Sequence, residues 1–409
     1  MKSILNHERN FISLYQHHLG ESEVPEAFHD WSCLSLIAAC VADRVWIEKF
    51  RGSRLAPNLY VFLIGPSALG KGSAIDEAQK FTHGLKRLNV YRGRTTAQHL
   101  YDFLGRPDHG STVIAHPKVW LIHDELSADV GEGGQAITFV KIMTKLYSGI
   151  DTPIREGTRT RGGLTVIGHC INWIAGTTED WCFETIPKSS VTGGFFGRVV
   201  PVKGEYDFSK RFRRPVYPAD YDEVVAYLRE RVLELSYVEG SFVQTDEAVE
   251  IEDVWYMRRP APTDVALMAT WKREHDLTLK LAMLFSLADS LDLIIHKHHM
   301  VAAQKASAHV MRSMPTLVSA ASTTTETVGI DFIETLIKSR KAIAHSTLVE
   351  KCYKRGLNAE RVKAIVDTLF QAKRIMWYTS PYGGRAYAWV SKRRMEQDAG
   401  DTAVDDGTE

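Results

Sequence analysis

The residues best suited to chemistry lie in one glycine-containing stretch, GPSALGKGS, which follows an apolar run from Leu59 to Ile64 and precedes a helix-forming sequence. Strand, glycine loop and helix in this order are typical of a phosphate-binding P-loop. The glycines permit turns that point backbone N–H groups inward, and the helix N-terminus adds partial positive charge. A tight turn with an exposed lysine is the alternative, but it needs no such glycine spacing. We therefore predict a nucleotide site formed by Gly65, Pro66, Ser67, Ala68, Leu69, Gly70, Lys71, Gly72 and Ser73.

The loop departs from the usual pattern directly after its lysine. Most P-loops have Ser or Thr there, whereas this chain has Gly72 followed by Ser73. The variant resembles the G-K-G-T loop of adenylate kinases. Ser73 therefore reaches Mg²⁺ directly, reaches it through a water, or does not reach it, and all three alternatives stay open.

Two adjacent acids follow a second apolar run, Val119 to His123. At this distance beyond a P-loop, Asp124 is predicted to hold Mg²⁺ and Glu125 to orient the attacking water as general base. The structural alternative is that Asp124 caps the next turn and Glu125 is solvated. The nearby P-loop favours the functional interpretation.

Three further segments carry polar side chains that suit phosphate chemistry. Residues 153–168 predict a hairpin with a basic tip that grips a nucleic-acid backbone, or else a solvated loop tip. The strand from Ile171 ends in hydroxyls that can sense the γ-phosphate or hold the water, and Asn172 is a weaker candidate for that role. A later arginine is either a structural salt-bridge partner or an arginine finger in a neighbouring subunit. The side chains concerned are Arg155, Arg159, Arg161, Thr177, Thr178 and Arg198.

The composition is that of an ordinary globular protein. The chain has 409 residues, of which 44% are hydrophobic and 24% charged, and its formal net charge is zero, so any nucleic-acid contact must come from local patches. Its five cysteines are dispersed without metal-ligand spacing, which indicates reduced thiols and no zinc site. Without a membrane-length apolar run or a signal-peptide core, we predict a cytoplasmic protein, in a bacterial host if a phage or mobile element encodes it.

The last third of the chain is predicted to be helical with a terminal hairpin. Residues 265–290 read as a long helix with Arg273 and Lys280 as candidate phosphate contacts, and Ser319 to Thr327 reads as a linker. Three helices and two strand-like arms then resemble a winged helix-turn-helix, which binds DNA or docks a protein. Its candidate phosphate contacts are Arg361, Lys363, Lys373, Arg374 and Arg385. The acidic tail after 394 is predicted to be disordered.

The order of these motifs resembles AAA+ ring helicases of the superfamily-3 and MCM-like branch, and most of all the phage- and prophage-type P-loop ATPases, over roughly residues 25 to 290. The resemblance implies an α/β fold: an AAA+ P-loop core with N-terminal helices, a helical lid and a C-terminal winged helix. It implies Walker B roles for Asp124 and Glu125, sensor 1 at Thr177 or Thr178, a pore-facing hairpin, and Arg198 acting in trans. We predict an N-terminal helical segment at 1–50, the P-loop ATPase core at 51–205, an insertion with the helical lid at 206–328, the winged helix at 329–393 and the disordered acidic tail at 394–409.

These inferences predict an ATP- and Mg²⁺-dependent DNA helicase or translocase, working as a homo-oligomeric ring, with a hexamer expected, in phage or mobile-element replication. Single-stranded DNA would lie in the pore and duplex DNA at the winged helix, with a further replication protein as partner and no membrane contact. One alternative is an ATPase switch or helicase loader that binds DNA without unwinding it. A small-molecule kinase is suggested only by G-K-G-S.

Overall fold

The computed structural model describes residues 10–107, 116–131, 133–148, 152–158, 162–179, 194–210, 216–264, 267–322, 325–340, 342–353, 357–379 and 384–390. The chain divides into two units, 1–322 and 323–409. The elements of the first unit up to the end of its main sheet are α1 (Phe11–Leu19), α2 (Glu26–Val41), β1 (Val45–Phe50), β2 (Ser53–Leu55), β3 (Tyr60–Ile64), α3 (Lys71–Gln79), β4 (Val90–Arg92), α4 (Ala97–Leu104), β5 (Arg106–Pro107), β6 (Lys118–His123), α5 (Leu126–Val130), α6 (Gly133–Leu146), β7 (Ile154–Thr158), β8 (Gly162–Val166), β9 (Cys170–Thr177) and β10 (Val199–Lys203).

Five of these strands form a parallel sheet of order β10-β3-β9-β6-β4. Every residue of β3 and β9 is buried, as expected of central strands covered on both faces. Ile64 pairs with Thr177, and His123 pairs with Ala175, so β3, β9 and β6 end at the same edge. The strand before the glycine loop and the strand before the acid pair are thus separated by one strand. This sheet confirms the predicted α/β class.

Alternating residues of β3 contact two different cores, as the two-residue period of a strand requires. Val61 and Leu63 pack in one cluster with residues of α2 and α3. Tyr60, Phe62 and Ile64 pack in a second cluster with residues of α4 and α6. Helices therefore cover both faces of the sheet and leave its carboxyl edge to the loops.

Helices dominate the remainder of the first unit, whose elements are α7 (Tyr221–Leu235), β11 (Gly240–Ser241), β12 (Val243–Gln244), α8 (Asp246–Arg258), α9 (Met268–Asp289), β13 (Ile294–Ile295) and α10 (Lys297–Ser322). Two expectations were wrong here, and a third was correct only in part. The helix-forming sequence after the glycine loop predicts a helix to about Leu88, but α3 ends at Gln79 and a 3₁₀ turn follows. Residues 203–263 are expected to be irregular apart from a helix near 220–235, yet helix α8 lies among them. The predicted linker at 319–327 contains the boundary between the two units, although its residues 319–322 and 325–327 are helical.

The second unit contains α11 (Thr325–Arg340), β14 (Ala342–Ala344), α12 (His345–Tyr353), α13 (Ala359–Gln371), β15 (Ile375–Thr379) and β16 (Arg385–Trp389). Its antiparallel sheet has the order β14-β16-β15, so the predicted terminal hairpin is present. Apolar residues of all three helices and of β15 share one core. In neither unit is a helix of the described chain long and apolar enough to cross a membrane.

Candidate nucleotide-binding site

The glycine loop connects β3 to α3 at the carboxyl edge of the sheet, where open α/β folds bind ligands. Gly70 has φ +81°, a conformation that favours glycine, and a Cβ there would lie 2.5 Å from a methyl carbon of Val24. A Cβ on Gly65 would lie 2.9 Å from the carbonyl oxygen of Gly204. Glycine is therefore favoured at both motif positions, at Gly65 by the close approach of Gly204 and at Gly70 by its positive φ.

Lys71 begins α3 and is 7% exposed. Its Nζ donates hydrogen bonds to the carbonyl oxygens of Gly65 and Pro66, both at 2.8 Å. Burial lowers the pKa of Lys71, and the negative charge of Glu125 opposes that shift. The ammonium group is thus held at the loop and interacts electrostatically with Glu125.

Gly176 brings the acid pair to the loop. A Cβ on this residue of β9 would overlap the carbonyl oxygen of Asp124 and would lie 3.4 Å from Cβ of Lys71. Asp124 is exposed at the end of β6, and half-buried Glu125 precedes α5. The glycine therefore allows the lysine and the two acids to approach from opposite sides of β9.

Arg92, at the end of β4, binds Asp124 through two hydrogen bonds. Its Nε and Nη2 donate to the two carboxylate oxygens at 2.8 and 2.6 Å. Its Nη1 contacts Asp76 at 2.6 Å and Gln79 at 2.5 Å, both on α3. The bond to Asp124 raises the pKa of Arg92 above its ordinary value. Arg92 thus links β6 to the P-loop helix.

The spacing of residues along α3 shows which of its side chains face Arg92 and Asp124. Gly72, Asp76 and Gln79 follow the i, i+4, i+7 spacing of one helix face, the face that meets Arg92. Ser73 and Glu77 share another face. The position that would direct a hydroxyl toward Asp124 is therefore glycine. Of the three alternatives for Ser73, a direct contact with the metal receives no support from this geometry.

The two threonines predicted at the end of β9 lie beside the glycine loop. Thr177 is buried, and its carbonyl oxygen accepts a hydrogen bond from Gly65 N at 3.2 Å. Thr178 follows it at the same edge. Asn172 is different, because its side chain bonds Leu59 N and the Ala38 carbonyl at 3.0 and 3.2 Å. The weaker candidacy of Asn172 was wrong: it is a buried structural amide.

Arg198 lies beside a second arginine. Its Nη1 donates to the Gly194 carbonyl at 2.7 Å, and a Cβ on Gly194 would lie 3.1 Å from Arg198 Nη1 and 2.9 Å from Arg273 Nη1. Burial and then the charge of Arg273 lower the pKa of Arg198. Neither guanidinium pairs with a carboxylate of a described residue. Lys280, in contrast, is buried and bonds the Asn58 carbonyl at 2.8 Å, so its predicted phosphate contact was wrong.

The predicted nucleic-acid contacts lie on two hairpins and one helix. Residues of β7 and β8 pair as predicted, and Arg155 is exposed on β7. Arg159 and Arg161 lie outside the described residues. In the second unit all five candidates are exposed, namely Arg361, Lys363, Lys373, Arg374 and Arg385. Of these, Arg374 also pairs with buried Glu334 at 2.7 Å, so its charge is partly balanced within the unit.

One cluster away from this edge has metal-ligand residue types, although no zinc site was expected. Asp289, His298 and His299 bring ligand atoms within 4.8 Å of one another. However, Nδ1 of His299 accepts a hydrogen bond from His296 N at 3.0 Å, so the neutral ring carries its proton on Nε2, which donates to Asp289 at 2.8 Å. A ring bonded in this way caps the start of α10 and has no free nitrogen for a metal.

Sequence reasoning missed Arg92, Gly176 and His29. Arg92 follows a three-residue strand and Gly176 sits in an apolar strand, so neither carries a motif. His29 lies within the buried stripe of α2, to which no chemistry was assigned. Only contacts between distant segments distinguish these residues.

Comparison with known proteins identifies no family for this chain. No family model matches the sequence, and no curated protein matches it. Among solved structures, the chain is similar to a full-length MCM homolog from Methanopyrus kandleri, with 12% identity and a TM-score of 0.42. The match covers 76% of this chain and 62% of that protein, so the chain spans about three-fifths of its length. A likeness this distant assigns no function.

Proposed function

We propose that the chain is an ATP hydrolase whose site lies at the carboxyl edge of the parallel sheet. The observation that carries this proposal is the meeting of three strand ends there: the glycine loop with Lys71 after β3, Thr177 at the end of β9, and the acid pair after β6. A helix N-terminus, a lysine and inward-pointing amides bind phosphates, while carboxylates suit a metal and a water.

The residues present fit a magnesium ion in part. Asp124 offers the carboxylate oxygens that Mg²⁺ prefers, although both oxygens bond Arg92. No hydroxyl follows Lys71 directly, since Gly72 is there. Mg²⁺ held by Asp124 would offset negative charge on the phosphates.

Within this site the protein side chains have separable tasks. Lys71 supplies positive charge at the β- and γ-phosphates, and Glu125 accepts a proton from the attacking water. Thr177 or Thr178 positions that water or the γ-phosphate. Arg198 of a neighbouring subunit stabilises charge that develops on the transferred phosphoryl group, a role that fits two adjacent arginines without carboxylate partners among the described residues.

We further propose that hydrolysis drives a homo-oligomeric ring, expected to be a hexamer, along DNA in phage or mobile-element replication. The support is local charge: exposed Arg155 lies on the hairpin predicted to face the pore, and exposed basic residues lie on the unit proposed to be a winged helix. Single-stranded DNA would contact the hairpin, and duplex DNA the second unit.

The direct test combines ATP turnover with displacement of a strand from a forked DNA substrate. Lys71→Ala should abolish both activities. Arg198→Ala should abolish turnover while ATP binding persists, and mixing it with Lys71→Ala protein should restore part of the turnover, since each variant lacks a different half of a shared site. Turnover by Arg198→Ala equal to that of the unmodified chain would contradict shared sites.

A second candidate is an ATPase switch or helicase loader that binds DNA without unwinding it. The contact between Arg92 and Asp124 favours it, because a paired carboxylate opposes metal binding and slows turnover. ATP turnover without strand displacement would support this second candidate.

A further inference from the structure

A cavity of about 240 Å³ adjoins the glycine loop on the side away from the acid pair. Its lining includes Val24, His29, Ser73 and Tyr217. Val24 is the residue against Gly70, and Ser73 is in the first turn of α3. The cavity is thus continuous with the phosphate-binding end of α3, on the face that the unusual serine occupies.

The size of the cavity suits part of a ligand. Pockets that enclose a whole drug-sized molecule measure roughly 300–1,000 Å³. At about 240 Å³, this cavity fits one ring system of a nucleotide while the phosphates lie outside it at the loop. A nucleotide whose phosphates bind at the N-terminus of α3 would therefore extend past Ser73 and place its nucleoside in this space.

His29 lines the cavity with a buried ring whose nitrogens have no hydrogen-bond partner in the described chain to explain their burial. It is 5% exposed, and neither ring nitrogen has a hydrogen-bond partner among the described residues. Burial lowers the pKa of His29 to about 4, with the charge of Glu77 opposing the shift. The ring is therefore neutral at pH 7 and offers one N–H donor and one acceptor. Leaving such groups unpaired is costly in a folded protein.

The neighbouring charges do not satisfy His29. Glu77, which also lines the cavity, accepts hydrogen bonds from His18 at 2.8 Å and from Lys80. Burial raises the pKa of Glu77, but those hydrogen bonds more than offset burial and lower the pKa to about 2. Both hydrogen bonds go to Oε1 of Glu77, and no described residue bonds either ring nitrogen of His29, so the donor and acceptor of His29 remain for a molecule in the cavity.

We propose that this cavity receives the nucleoside part of the triphosphate held at the glycine loop, and that His29 hydrogen-bonds to it. Ser73 then contacts the nucleotide between its phosphates and its nucleoside rather than the metal. This inference rests on the proposed function, because it assumes phosphates at Lys71. It adds a recognition residue that no sequence motif marks.

The test compares ATP with inorganic triphosphate, which has no nucleoside. Calorimetric titrations should show His29→Leu binding ATP about three- to tenfold more weakly, the loss of one hydrogen bond, with unchanged affinity for inorganic triphosphate. His29→Gln, which keeps a donor and an acceptor, should retain more of the ATP affinity. His169→Leu removes another buried histidine outside the cavity and should leave the ratio of the two affinities unchanged.

Folding provides an internal check. Replacing an unpaired buried ring with a leucine should leave the unfolding midpoint of the ligand-free protein unchanged or raised. Unchanged ATP affinity in His29→Leu, or equal loss of ATP and inorganic triphosphate affinity, would overturn the proposal. If His29→Leu does not fold, the same comparison of ATP and inorganic triphosphate affinity in His29→Gln tests the proposal. Lys71→Ala should weaken both ligands, and failure of that result would instead refute the phosphate site.

Discussion

Replacing Arg92 with glutamine should lower the Mg²⁺ concentration that half-saturates ATP hydrolysis. Both oxygens of Asp124 bond the guanidinium, at 2.8 and 2.6 Å, so a metal at Asp124 must compete with this pair. The side chains of Arg92 and Asp124 are 30% and 45% exposed, and solvent screening limits such a pair to about 1 kcal/mol even with bidentate geometry. That energy corresponds to about a fivefold lower half-saturating Mg²⁺ concentration.

The assay is steady-state ATP turnover at saturating ATP over a range of Mg²⁺ concentrations. Arg231→Gln is the matched control, since it removes an arginine that pairs with Glu234 on α7 at 3.0 Å, and its half-saturation should not move. A higher Mg²⁺ requirement in Arg92→Gln would show that the arginine positions Asp124 for the metal. An unchanged requirement would show that the pair opens without cost; either result refutes the competition.

Three further predictions concern packing, pH and DNA. Gly176→Ala should reduce the free energy of unfolding by about 1–3 kcal/mol in urea titrations, because its Cβ overlaps the Asp124 carbonyl, whereas Gly72→Ala, with open space around its Cβ, should not reduce it. The lowered pKa of Glu77 stabilises the fold above pH 4.5, and this contribution should disappear as pH falls from 4.5 toward 2; Glu77→Gln should flatten that part of the stability profile. Arg155→Gln should weaken single-strand binding and reduce its salt slope by about one, and an unchanged slope would exclude a phosphate contact there.

The sequence was most informative where local chemistry determines structure. Apolar runs that end in glycine, acids or hydroxyls predicted β3, β6 and β9, and their shared edge followed from parallel pairing. The glycine spacing predicted the loop because a Cβ on Gly65 would meet the Gly204 carbonyl and because Gly70 has φ +81°, which favours glycine. Helix ends were predicted less well: nothing local stops the P-loop helix at Gln79, where a 3₁₀ turn follows.

Contacts between distant segments were beyond the reach of sequence. Arg92 meets Asp124 only because β4 pairs with β6, and its role depends on residues 32 positions apart. His29 belongs to an apolar helix whose burial is obvious, yet its missing partners become visible only with the cavity beside α3. Lys280 looked available for phosphate because its bond to Asn58 spans 222 residues.

The most direct measurement of the central claim is ATP binding and turnover by Glu125→Gln. Because Glu125 is assigned to accept a proton from the attacking water and not to bind phosphate, the variant should keep ATP affinity within about twofold while turnover falls at least about 100-fold. Turnover close to that of the unmodified chain would contradict the assignment of the acid pair and, with it, a hydrolytic site at this edge of the sheet.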